Sequence, residues 1–442
     1  MTTATGAVFA ALGAGDSGAA SGAAFHARPI RERERGRAAS PYAFRGMWVA
    51  TVFNRDWPSR TGLSAAAQRS ELLRHLDRAV ERRLNAVVLQ VRPTADALWP
   101  SPHEPWAECL TGTQGKDPGW DPLGTAVAEA HERGLELHAW FNPYRVANHT
   151  DPGRLAASHP ARVHPDWTVP YGGRLYYDPG LPEVRRFVQD AMLDAVRRYD
   201  IDAVHWDDYF YPYPVAGERF KDDASYARHG AGFPDRADWR RHNTDLLVSE
   251  MSARVKEVNP HVRFGVSPFG VWRDVADDPE GSDTGAGLAT YDDLYADTRK
   301  WVREGWIDHV VPQLYWHIGH PTTDYARLLA WWDATVRGTG VRLRIGEALY
   351  KAGDTAQPAA WQDPEELSRH LALAAGRPGV DGHCFFAAKE VAEDRIGALA
   401  AAVTDHYPPA ARSARGPGRA ASPPEPGRNT APPGRRDPEE TA

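Results

Sequence analysis

Eight short apolar runs alternate with eight helix-period segments, a pattern that predicts an α/β protein built as a single (β/α)8 TIM barrel with long βα loops. Two further observations point the same way. The runs are continuous in Val, Ile, Leu and Phe, as parallel strands buried on both faces require. No Pro/Gly/Ser-rich linker divides the stretch that holds them. A doubly wound open sheet is the competing arrangement of the same alternation.

The strand signals are Gly46–Phe53, Ala86–Arg92, Leu135–Phe141, Ala203–Asp207, Arg263–Pro268, His309–Tyr315, Arg342–Ala348 and Gly382–Ala387. Ser64 is placed to cap the first helix, in which Leu72, Leu73, Leu76, Ala79 and Val80 form one apolar face. Asp121 and Pro122 open the second as N-cap and first helical residue, and Gly134 closes it. Leu181 and Pro182 open the third, which runs to about Tyr199. The others are expected over 236–258, 291–304, 322–336, 363–375 and 389–404. Helix-to-strand connections are short, whereas the strand-to-helix connections 93–120, 142–180, 208–235 and 269–290 are long. Chemistry in such barrels sits on the strand-to-helix side, so the residues that end each strand are the candidates for a site.

The folded domain is expected over 41–407. Residues 1–40 are rich in Ala, Gly and Arg and read as a disordered or targeting segment; the apolar stretch Ala7 to Ala14 lacks the basic flank of a signal peptide. Residues 408–442 are rich in Pro, Arg and Gly and are expected to be disordered.

Composition excludes several function classes. A net charge of −7 gives no long-range attraction to nucleic acid. No apolar run reaches the ~18 residues of a membrane span. The two cysteines, Cys109 and Cys384, are too few for a disulfide scaffold or a thiolate zinc site, although one disulfide between them stays open. The 16 Trp and 16 Tyr either fill core or stack on flat ligand faces such as sugar rings.

The strand ends carry a consistent set of polar residues. In period-two phase they present Gln90 and Arg92, then His138, Trp140 and Asn142, then His205 and Asp207, then Ser267, then Gln313 and Tyr315, with Asp208, Tyr209 and Trp316 just beyond. Amides and carboxylates bond hydroxyl groups, and aromatic faces cover the C–H faces of a sugar, so a polyhydroxylated ligand fits. Other barrel chemistries fit less well. Strand 1 lacks the His-x-His of a metal amidohydrolase, no Lys ends a strand inward for a Schiff base, and no Gly-rich phosphate loop follows strand 7 or 8. No metal and no cofactor are expected.

Ordered segments then carry a family resemblance. Arg45–Asn54 with Asp56-Trp57-Pro58-Ser59, Gln90-Val91-Arg92-Pro93, His138–Arg145 (which contains Tyr144), His205–Pro214, Gly265–Gly270, Tyr291–Asp297 and Pro312–Trp316 resemble the glycosyl hydrolase-like 10 family of the bacterial cell envelope. The resemblance implies a (β/α)8 glycosidase acting on peptidoglycan glycan strands, and an extracytoplasmic location. A non-catalytic carbohydrate-binding or scaffolding barrel is the alternative.

Glycoside cleavage normally needs two carboxyl groups. Asp202–Asp207 is similar to the strand-4 pattern of several glycosidase barrels whose last Asp is the nucleophile, which makes Asp207 the expected catalytic carboxylate with His205 alongside. Asp208 joins it only if the strand has ended. Other candidates for the second acid are Asp96, Asp283 and Glu347, although Glu347 stands where a neutral residue is expected. An acetamido group of the substrate could replace a second acid, with Tyr315 steadying it. Arg92 and Arg145 are expected either to bind a substrate carboxylate or to pair with Asp207 or Asp96. Trp206, out of phase, is expected against a helix, and His138 in the core. The expected ligand contacts are thus Arg92, Asp96, Trp140, Asn142, Tyr144, Arg145, His205, Tyr209, Gln313, Tyr315 and Trp316.

Overall fold

The computed structural model describes residues 43–407. The expectations for 1–40 and 408–442 lie outside the described residues. Eight parallel strands close into a barrel in chain order: β1 (Phe44–Val49), β2 (Ala86–Arg92), β3 (Glu136–Phe141), β4 (Ala203–Trp206), β5 (Arg263–Val266), β6 (His309–Val310), β7 (Arg342–Glu347) and β8 (Val380–Phe385), with β8 paired to β1. Each contains or overlaps its predicted run, and the open-sheet alternative falls.

Helix starts follow the expected capping chemistry. Ser64 accepts from Ala67 N at 3.2 Å and starts Ala65–Glu81, while Asp121 accepts from Gly124 N at 3.0 Å and starts Pro122–Glu132. Leu72, Leu76 and Ala79 of the first helix are buried against the barrel. Full burial of each leucine contributes about 1.5–3 kcal/mol. Two predicted helices are each divided. The first becomes Thr290–Asp293 and Thr298–Arg303, with Tyr295 between them at φ 51°; the last becomes Ala388–Glu393 and Ala398–His406, separated by Asp394 at φ 41° and Gly397 at φ 74°. A single left-handed residue is enough to turn the axis, and apolar periodicity does not register it.

The loop after β3 is more ordered than its sequence suggests. It carries a three-stranded antiparallel sheet of Arg145–Ala147, Arg174–Tyr177 and Thr168–Tyr171. Tyr171 and Tyr176 of this sheet pack with Tyr211 and Phe220 of the loop after β4, and so buttress that loop.

Even-numbered residues of β1, β2, β3, β7 and β8 and odd-numbered residues of β4, β5 and β6 fill the barrel. Near its base Arg344 lies 3.9 Å over the Phe44 ring, and the rings of Phe44, His138 and His309 follow in tilted contact, with centroids 5.3 and 5.5 Å apart. Gly265 leaves room for His309, whose ring would lie 2.1 Å from a Cβ there. His138 is a fully buried core residue bonded to Glu136 at 3.1 Å. One layer up, Trp48 Nε1 donates to His205 Nε2 at 3.2 Å. Cys109 and Cys384 are both buried and both free, so the disulfide left open by the sequence is not formed. Among the described residues no helix is long and apolar enough to cross a membrane.

Candidate active site

Strand β4 ends at Trp206, one residue earlier than its apolar run suggests. Trp206 points outward, its Nε1 3.2 Å from Met192 Sδ on the helix Pro182–Arg198. Asp207 continues the inward phase. Asp208 lies past the ladder, is no longer bound to alternate, and faces the same rim.

The two aspartates are 4% and 6% exposed. Asn142 Nδ2 donates to Asp207 Oδ2 at 3.0 Å, and Tyr209 N donates to Oδ1 at 3.2 Å. Asp208 accepts from the Tyr213 hydroxyl and from Gln313, whose Nε2 also reaches Ser267 O at 3.0 Å. Burial pushes both carboxyls above the ordinary carboxylate range. The Asp208 charge raises Asp207 further. Arg145 opposes the rise on both; its guanidinium lies 4.3 Å over the Tyr209 ring, and its N donates to Asn142 Oδ1 at 3.1 Å. The result is a pair of raised carboxyls in which hydroxyl and amide donors favour the charged form of Asp208, while the neighbouring charge favours the protonated form of Asp207.

Beneath the pair lies an aromatic and imidazole floor. His205 is fully buried, accepts from Trp48 and contacts Ser267 Oγ at 2.9 Å; burial keeps it neutral. Trp140, paired with His205 in the ladder, is also buried, and its Nε1 meets no acceptor among the described residues. Two aromatic walls stand at this end of the barrel. In one, Tyr209 and Tyr213 lie 5.4 Å apart and continue to Phe269 and Trp316; in the other, Tyr315, Tyr350 and Phe386 pack together.

Three expected ligand contacts are corrected. Arg92 is fully buried and pairs with Glu104, with Nε to Oε2 at 2.7 Å, and also donates to Pro143 O at 3.0 Å and to Asn142 O. It pairs with neither Asp207 nor Asp96, and its donors bind its own loops. Asp96 is likewise enclosed by Thr94, Glu108 N and Gln114 Nε2. Tyr144 is buried in the main core, facing the charges of Arg185, Glu250 and Asp178 rather than the rim. Of the alternative acids, Asp283 pairs with Arg327 at 3.2 Å on the surface, and Glu347 faces outward from β7. Asn142, Arg145, Tyr209 and Gln313 surround the pair; Trp140 and His205 lie in the layer below, and Tyr315 and Trp316 belong to the aromatic walls.

Sequence reasoning missed Tyr213, Trp48 and Phe386. Tyr213 sits five residues past Asp208, beyond the reach of strand phase. Trp48 and Phe386 were in phase on β1 and just past β8, and only their apolar character hid them.

Comparisons with known proteins give the family and the fold. A family model described as Glycosyl hydrolase-like 10 matches residues 43–363. The chain is 48% identical over 372 residues to Glycosyl hydrolase YngK of Bacillus subtilis (strain 168), covering 84% of this chain and 73% of that protein. It is 40% identical over 367 residues to Glycosyl hydrolase DigH of Escherichia coli (strain K12), covering 78% of this chain and 83% of that one. The fold is similar to the PgaB (BpsB) glycoside hydrolase domain from Bordetella bronchiseptica, with a TM-score of 0.52 at 13% identity over 83% of this chain and 99% of that chain.

Proposed function

The chain belongs to the glycosyl hydrolase-like 10 family, and from that premise we propose that it is an extracytoplasmic glycosidase that hydrolyses O-glycosidic bonds in N-acetylated glycan strands of peptidoglycan. The observation that carries this reading is the Asp207–Asp208 pair at the C-terminal end of β4, buried together among hydroxyl and amide donors.

Asp207, pushed toward its protonated form by burial and by the Asp208 charge, acts as general acid. It gives that proton to the glycosidic oxygen as the C–O bond to the anomeric carbon breaks. Asp208, whose charged form the Tyr213 and Gln313 donors favour, faces the positive charge that develops on the sugar, either directly or through the substrate's acetamido group. Water then adds to the anomeric carbon and its proton returns to Asp207, which restores the starting state. Arg145 fixes Tyr209 from one side and keeps the pair from losing its net negative charge. The aromatic walls match the C–H faces of pyranose rings, and Asn142 and Gln313 hold the acids in place.

The experiment is release of new reducing ends from purified peptidoglycan glycan strands, with and without peptide stems, by the parent protein and by Asp207→Asn. The expected result is cleavage by the parent and loss in the variant. Binding without cleavage by the parent would replace this reading with that of a carbohydrate-binding barrel.

A further inference from the structure

A second groove, of about 650 Å³, opens on the same end of the barrel between the loops that follow β1, β2 and β3. That volume lies within the range of small-ligand sites. It adjoins the carboxylate pair through a short chain of contacts. Asn142 holds Asp207 at 3.0 Å and accepts from Arg145 N at 3.1 Å, and the next residue, Val146, lines the groove.

Its edge carries Phe53, whose side chain is the one large aromatic among the exposed hydrophobics of the described residues, at 53% exposure. This exposure is built, not incidental. Phe53 and Asn54 both take left-handed backbone conformations, φ 56° and 52°, which cost about 1 kcal/mol or more each in non-glycine residues. The residues on either side are pinned. Gln90 Oε1 accepts from Thr51 N at 3.0 Å and Val52 N at 2.9 Å, and Asn54 Nδ2 donates to Pro58 O at 3.0 Å and Cys109 O at 2.9 Å. A buried hydrogen-bond set thus presents an apolar ring to water, where burial would be favoured. Asn148 also lines the groove, and its buried Oδ1 meets no donor among the described residues. An exposed aromatic face in a groove also lined by the hydroxyl and amide side chains of Thr61, Thr94, Thr113, Gln114 and Asn148 suits a pyranose ring, with C–H bonds on its face and hydroxyl groups at its edge.

We propose that this groove is a distal glycan subsite, that Phe53 is its stacking platform, and that it makes the protein favour long chains over short ones. The proposal rests on the glycosidase reading above for its catalytic consequence, but not for the binding itself.

The test uses N-acetylglucosamine oligomers of two to six rings. Phe53→Ala should leave kcat/KM on the shortest cleaved oligomer within about twofold and lower it on the hexamer by about tenfold, the loss expected for one ring-stacking contact. Phe53→Trp should restore the hexamer preference, which a merely structural role would not do. Equal losses at every length, or none on the hexamer, would overturn the proposal. Hexamer binding by calorimetry is measured in parallel in Asp207→Asn with and without Phe53→Ala. A roughly tenfold weaker Kd in the double variant supports the subsite even if the parent cleaves nothing, in which case only the glycosidase reading falls. A Kd unchanged by Phe53→Ala overturns the subsite while leaving that reading intact.

Discussion

Glu347 at the end of β7 and Asp207 just past the end of β4 are carboxylates at equivalent heights of one barrel, both removed from water, and they are driven in opposite directions. Glu347 is fully buried and faces outward, where it accepts from the Tyr325 hydroxyl at 2.8 Å, His370 Nδ1 at 2.9 Å and His383 Nδ1 at 3.0 Å. These partners outweigh desolvation and hold it down at about 2. His370, between Glu347 and Glu366, is correspondingly raised. Asp207 faces inward beside another carboxylate, with two neutral donors and only a partial offset from the Arg145 cation stacked over Tyr209, and it is raised. Burial alone therefore does not make a carboxyl reactive. The sign of its nearest charge decides whether it becomes a fixed strut or a proton donor.

The largest expected effect tests the strut. Glu347→Gln should lower unfolding stability by about 3–5 kcal/mol, because it strands the buried His370 and His383. Chemical denaturation across pH checks this. The depressed Glu347 contributes stability that is present above its unfolded pKa of about 4.3 and is lost as pH falls toward its folded value. The raised His370 contributes stability that is full below about 6.5 and is lost as pH rises through its folded value. The gap between parent and variant should thus be widest between about pH 4.5 and 6.5.

Asp207→Asn should cost at least about a hundredfold in kcat on glycan strands, or about 2.7 kcal/mol of transition-state stabilisation. Its melting temperature should not fall. A raised carboxyl binds its proton more tightly in the fold, so ionisation weakens the parent as pH rises from about 4 through the folded value, and Asn removes that penalty. An aryl glycoside with a good leaving group should recover much of the lost rate, because it needs no general acid.

Asp208→Asn should shift a profile as well as lower a rate. Without the Asp208 charge Asp207 titrates lower, so the alkaline limb of kcat/KM, where the acid is lost, should move to lower pH. Tyr213→Phe should act least, by about tenfold or less in kcat. It removes one hydrogen bond to Asp208 and so lifts that carboxyl, leaving less of it ionised.

The sequence reading was strongest where period two is enforced by the barrel. The strands and the inward phase of Asn142, His205, Asp207 and Gln313 follow from that alternation. It failed where the chain leaves the ladder. Arg92 is in phase on β2, yet its partner Glu104 arrives from a loop twelve residues on, and no local signal in the sequence announces that pair. Asp208 and Tyr213 reach the rim because β4 ends early at Trp206, which apolar runs do not mark. The small sheet of Arg145–Ala147, Thr168–Tyr171 and Arg174–Tyr177 has strands of three or four residues, too short for alternation to stand out.

The contrast between the two carboxylates is tested most directly by carbon-13 NMR titration of the side-chain carboxyls in aspartate- and glutamate-labelled protein. Asp207→Asn and Glu347→Gln identify the signals. The Asp207 resonance should titrate well above the ordinary carboxylate range and move lower in Asp208→Asn, while Glu347 should remain ionised down to the onset of acid unfolding. An Asp207 signal that titrates at or below about 4 in the folded protein would contradict the general-acid role.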